Sequence, residues 1–130
     1  MKSTRTAVFD TSAALAFFNQ ERGAAIVARL AARAAMSSVN LAEIATKMAE
    51  WEIPPAKIDT WIQGMKLQVV PFDTAQAMDV GSLRPTTRAF GLSLGDRACL
   101  ALGRKLRVPV YTAESAWAGI DVGVRIELIR

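Results

Sequence analysis

The chain has 130 residues, 52% of them apolar and 22% charged, with a net charge of +4. That size suits one domain, residues 1–130, around one core, and the composition excludes a disordered chain. Histidine is absent and Cys99 is the only cysteine, which excludes His-dependent catalysis, His- or thiolate-based zinc sites and an internal disulfide.

Residues 5–10 read as a first strand, followed by a short helix over 12–19. No apolar run approaches the ~18 residues of a membrane span. Lys2 and Arg5 precede apolar residues, but Asp10 interrupts the run, so no secretory leader is expected. The segment "RGAAIVARLAARA", residues 22–34, predicts an Ala-rich amphipathic helix. "AMSS" reads as a very short second strand, and a helix follows over about 41–52. Pro54-Pro55 ends that helix and opens the next, which runs to about Gly64. "LQVVPF" is a strand in which Pro71 marks an edge or an end. Residues 74–82 and 94–106 are helical, with Gly81 and Pro85 breaking the pattern between them. "PVYT" is a strand, 114–118 a helical turn and "VRIELI" a final strand.

Short, continuously apolar strands alternating with helices predict an α/β fold with a mostly parallel sheet covered on both faces. Ligands of such sheets bind beyond the carboxyl ends of the strands, near a topological switch point. Cys99, inside "ACLAL", reads as a small buried hydrophobe, and a reducing cytoplasm is the expected location.

Four acids occupy equivalent places in this pattern. Asp10 ends the first strand, Glu43 opens the helix after "MSSVN", Asp96 lies in the first turn of the 94–106 helix, and Glu114 follows "PVYT". In a parallel sheet these places share one edge. Each acid has a plainer reading as a helix cap, and Ser93-x-x-Asp96 and Asn40-x-x-Glu43 both resemble capping boxes. Capping alone does not require the apolar surroundings of Asp10 and Asp96. Clustered carboxylates repel unless a cation neutralises them, and all-oxygen ligands suit Mg²⁺ or Mn²⁺.

At "VFDTSAALA", "NLAEI", "LSLGDRACLALG" and "VPVYTAESAW" the sequence resembles PIN-domain ribonucleases, specifically the VapC-type toxins of toxin–antitoxin pairs. The resemblance covers nearly the whole chain. It implies a three-layer α/β/α sandwich, Mg²⁺- or Mn²⁺-dependent RNA cleavage, a homodimer, and inhibition by a small cognate antitoxin. By motif position it makes Asp10, Glu43 and Asp96 metal-binding acids, Ser12 a polar site residue and Thr112 the hydroxyl residue beside the fourth acid. That fourth acid is usually Asp; here it is Glu114, one methylene longer, with Asp121 as a possible substitute. Arg97, Arg84, Arg88, Lys47 and the "RKLR" cluster at 104–107 are candidates for RNA backbone contacts.

Trp51 and Trp61 read first as packing residues, and Phe17 and Phe18 are not expected to face the same core. A phosphoacceptor signalling domain is a rival, but it calls for paired acids after the first strand, where Asp10 is followed by Thr11. A catalytically silent PIN-like binding protein is the other rival, kept open by Glu114.

Overall fold

The five strands lie in the order β3-β2-β1-β4-β5, and all four pairings are parallel. They are β1 (Ala7–Phe9), β2 (Ala34–Ser37), β3 (Gln68–Val70), β4 (Val110–Thr112) and β5 (Ile126–Leu128). The computed structural model describes residues 4–130; Lys2 lies outside them. The chain builds outward from β1 through β2 to β3, then returns to the other side of β1 with β4. The switch point therefore falls between the carboxyl ends of β1 and β4.

Alternation along the strands divides the core into two layers. Ala7, Phe9, Ala34 and Met36 face a cluster with Ala13, Val27, Ile44 and Met48. Val8, Ala35 and Val110 face the opposite cluster with Val80, Leu100, Leu102 and Trp117. The first layer is built largely from α1 (Thr11–Phe18), α2 (Ala24–Leu30), α3 (Ser38–Glu50) and α4 (Pro55–Gly64). The second draws on α5 (Thr74–Ser82) and α7 (Leu94–Leu106). The expected α/β sandwich is thus the observed architecture. A short α6 (Arg84–Thr87) fills the stretch around Pro85.

Three local expectations are corrected. The Ala-rich helix was expected to run to residue 34, but α2 ends at Leu30 and a 3₁₀ turn leads into β2. Helix propensity favours Ala34, yet pairing with Ala7 and complete burial override it. Helix α3 begins at Ser38, capped by Ser37, whose hydroxyl accepts from the Val39 amide. Asn40 is therefore inside the helix, and the Asn40-x-x-Glu43 capping box does not form. Finally, Phe17 and Phe18 both pack, half-buried, on the same cluster, and Phe18 stacks on Trp61 with ring centres 6.4 Å apart.

Strand β3 is at the sheet edge, as Pro71 suggests. Cys99 is fully buried, and that burial, with Asp10, Asp96 and Glu43 nearby, pushes its thiol well up from the ordinary range. Among the described residues no helix is long and apolar enough to cross a membrane.

Candidate active site

Strand β1 delivers Asp10 to the switch point. The residue follows the strand directly and caps α1, its carboxylate accepting from the Ala13 amide at 2.8 Å. Ser12 donates its hydroxyl proton to the same carboxylate, at 2.8 and 2.9 Å from its two oxygens. Thr112, the last residue of β4, donates from the other side of the switch point at 2.6 Å. Pairing of Phe9 with Tyr111 brings Thr112 into reach. Ser12 in turn accepts from the Ala113 amide, and Thr112 from the Glu114 amide.

These partners leave Asp10 3% exposed. Burial pushes its carboxyl up from 3.8 to about 6, with the Asp96 charge adding a smaller push, while hydrogen bonds from Thr112, Ala13 and Ser12 oppose the rise. A carboxylate has about four lone-pair positions. Each oxygen already takes two contacts, Ser12 and the Ala13 amide on one, Ser12 and Thr112 on the other.

Glu43 reaches the same cleft from the second turn of α3. Thr11 donates to its Oε1 at 2.5 Å and Asn40 to the same oxygen at 3.0 Å. Asn40 also reaches Thr11 Oγ1 at 3.1 Å and the Gly95 carbonyl at 3.1 Å. The Glu43 carboxylate packs directly on Gly95, where a Cβ would run into it. Thr11, Asn40 and Gly95 shape this part of the cleft, and sequence reasoning did not find them as site residues. The four-residue spacing of "NLAE" suggested a cap and concealed a side-chain clamp.

Asp96 does form the capping box expected of it. Its amide donates to Ser93 Oγ at 3.2 Å, and its carboxylate accepts from the Ser93 amide at 2.9 Å. It also lines the cleft shared by Asp10, Ser12, Glu43 and Glu114. Cap and cleft are compatible because the N-terminus of α7 opens at the carboxyl edge of the sheet. Glu114 precedes the 3₁₀ turn Ser115–Gly119, is exposed, and makes no side-chain cap. Asp121 is exposed and lies outside the residues lining this cleft. Buried Trp117 and half-exposed Phe90 supply apolar wall.

The cleft holds about 410 Å³. Its candidate donors are all hard oxygens, the set that suits Mg²⁺ or Mn²⁺. Among the described residues no three acidic side chains are already drawn into a ligating cage. Asp10, Glu43, Asp96 and Glu114, which all line the cleft, supply such hard oxygens.

The basic candidates lie in different surroundings. Arg97 turns back to donate to the Val80 carbonyl at 3.0 Å. Exposed Arg84 reaches the carbonyl of Leu92, a cleft residue, at 3.3 Å, and exposed Arg88 is two residues from Phe90. Lys47 is exposed, four residues beyond Glu43, and pairs with Glu50 at 3.8 Å. The "RKLR" cluster closes α7 at the end remote from Asp96. There Arg104 pairs with Asp79 and Lys105 with Asp73.

Comparison with solved structures finds the same fold in chains of toxin–antitoxin complexes. A chain of the DNA-bound VapBC complex of Salmonella typhimurium is 22% identical, with a TM-score of 0.75 over 97% of this chain and 99% of that one. A chain of a Klebsiella pneumoniae toxin–antitoxin complex is 20% identical, with a TM-score of 0.74 over 96% and 98%. A chain of the FitAcB structure from Neisseria gonorrhoeae is 17% identical, with a TM-score of 0.68 over 93% and 96%. No curated protein sequence matches significantly. The family model described as PIN domain matches residues 7–122, and the chain belongs to that family.

Proposed function

We propose that the protein is a metal-dependent endoribonuclease of the VapC type, the toxin of a toxin–antitoxin pair. The observation that carries this reading is the convergence of Asp10, Glu43, Asp96 and Glu114 on one cleft at the β1–β4 switch point. Membership of the PIN family and the fold shared with chains of toxin–antitoxin complexes support it.

A bound Mg²⁺ or Mn²⁺ supplies an acidified water and charge stabilisation on a phosphodiester. The chain's own residues prepare the place. Ser12 and Thr112 fix the orientation of the Asp10 carboxylate. Thr11 and Asn40 fix Glu43. Asp96 and Glu114 add negative charge across the cleft, with the longer Glu114 reaching in from an exposed turn. On this reading exposed Arg84 and Arg88, close in sequence to the cleft residues Phe90 and Leu92, would meet RNA phosphates; Arg97 and Lys47 already have protein partners.

On the same reading the chain forms a homodimer and binds a small antitoxin in the cytoplasm. The open apolar groove lined by Phe17, Phe18, Trp61 and Met65 is a surface available to such partners. The test is expression of wild type and Asp10→Asn in cells, with mapping of new RNA ends. New ends with wild type alone support a nuclease. None with either, while an antitoxin-like partner is still captured by both, favours a silent binding protein.

A further inference from the structure

The best-defined part of the cleft outside the acids themselves is the clamp on Glu43. Asn40 is 1% exposed and faces three acceptors: the Gly95 carbonyl, Glu43 Oε1 and Thr11 Oγ1. The Thr11 proton is already committed to Glu43. The neighbours therefore dictate which way the Asn40 amide points, nitrogen inward. One side chain thus ties together α1, α3 and the first turn of α7. Both donors to Glu43 fall on Oε1, while Oε2 is the carboxylate atom packed nearest to Gly95.

Gly95 closes the clamp from below. The three atoms nearest to a Cβ built there are the two carboxylate oxygens and the carboxyl carbon of Glu43, all within colliding distance. Nothing about the backbone demands glycine, since residue 95 lies within α7 without a left-handed conformation. Glycine in a helix is ordinarily inferior to alanine. Its presence at this place is explained by the carboxylate it accommodates.

We propose that Asn40 and Gly95 are positioning residues. They hold the Glu43 carboxylate against α7, in the pose from which it meets a divalent cation in the cleft. This inference rests on the metal-dependent reading above, but its packing half is independent of metal and RNA. If Glu43 is what forbids a side chain at 95, the effect of Gly95→Ala must depend on the residue at 43.

The experiment is a double-mutant cycle read by denaturant midpoints in EDTA and in excess Mn²⁺. In EDTA, Gly95→Ala is expected to lower the midpoint when Glu43 is present. It should raise the midpoint, or leave it unchanged, in the Glu43→Ala background, where alanine's helix propensity acts unopposed. Equal shifts in the two backgrounds overturn the proposal. If Gly95→Ala alone does not fold and the double variant does, the proposal is supported; if neither folds, it is overturned. Asn40→Ala supplies the second arm. Its midpoint should rise less on adding Mn²⁺ than wild type's does, beyond any loss in EDTA. A lower midpoint in EDTA with the full Mn²⁺ rise would make Asn40 a structural residue only and overturn its positioning role. A wild type that gains nothing from Mn²⁺ overturns the functional reading itself, and the EDTA cycle separates that failure from failure of the clamp.

Discussion

Thr112 donates its hydroxyl proton to Asp10 across 2.6 Å, joining residues 102 positions apart at the meeting of β1 and β4. Thr112 is fully buried and Asp10 nearly so. The bond links the two halves of the sheet at the point where the acids converge. Replacing Thr112 with Val keeps the shape and deletes the donor. The loss should be ~1.5–3 kcal/mol at neutral pH in EDTA, the range for a hydrogen bond to a charged group. Denaturant titration measures it. A loss under a few tenths of a kcal/mol would mean that Asp10 is satisfied without Thr112.

Asp10 also gives the metal-free protein a pH dependence. Its carboxyl rises from 3.8 to about 6 on folding, burial being the main cause. Between those values the folded chain retains a proton that the unfolded chain releases. Stability must therefore fall as pH rises through the window, by on the order of 3 kcal/mol from this group alone. Asp10→Asn should remove that slope. The measurement is unfolding free energy in EDTA from pH 4 to pH 7 for both proteins; parallel curves would contradict the assignment.

Asp96 serves as cap and cleft acid together, so its replacement by Asn should separate the two. Asn retains an acceptor for the Ser93 amide but loses the charge at the α7 N-terminus, a term of ~0.3–1 kcal/mol. Relief of repulsion with Asp10 offsets part of it. In EDTA the variant should stay within about 1 kcal/mol of wild type. Mn²⁺ at a hundred times its dissociation constant should stabilise wild type by ~2.7 kcal/mol and the variant much less. Equal Mn²⁺ increments would leave Asp96 as a cap alone.

Glu114 lines the cleft and Asp121 does not. Glu114→Ala is therefore expected to slow RNA cleavage by about tenfold or more, a barrier increase of ~1.4 kcal/mol. Glu114→Asp should retain or improve activity, and Asp121→Ala should leave it unchanged. Initial rates on one RNA substrate rank the three. A slow Asp121 variant beside an unaffected Glu114 variant would exchange their roles.

The parts legible in the sequence were those fixed by local chemistry. Helices α5 and α7 begin where expected because Asp73 and Ser93 cap them. The parallel sheet followed from short apolar strands between helices, and it placed the four acids on one edge. What escaped was set by tertiary contact. Ala34 reads as helix and becomes strand because Ala7 pairs with it. Asn40 reads as a cap, yet Ser37 takes that place and Asn40 turns its amide to Glu43 and Gly95. Gly95 carries no sequence signal of its role, because the Glu43 carboxylate packed on it comes from another helix. Arg97 adjoins Asp96 in sequence, but the helix turns its guanidinium towards Val80.

The most direct measurement of the central claim is RNA cleavage by purified wild type and Asp10→Asn, each in Mn²⁺ and in EDTA. Asp10→Asn preserves size and an acceptor for the Ala13 amide while removing the charge at the switch point. The account predicts cleavage by wild type in Mn²⁺, none in EDTA, and a loss of at least about a hundredfold in the variant, close to ~2.7 kcal/mol in barrier. Equal cleavage by the two proteins, or undiminished cleavage in EDTA, would contradict it.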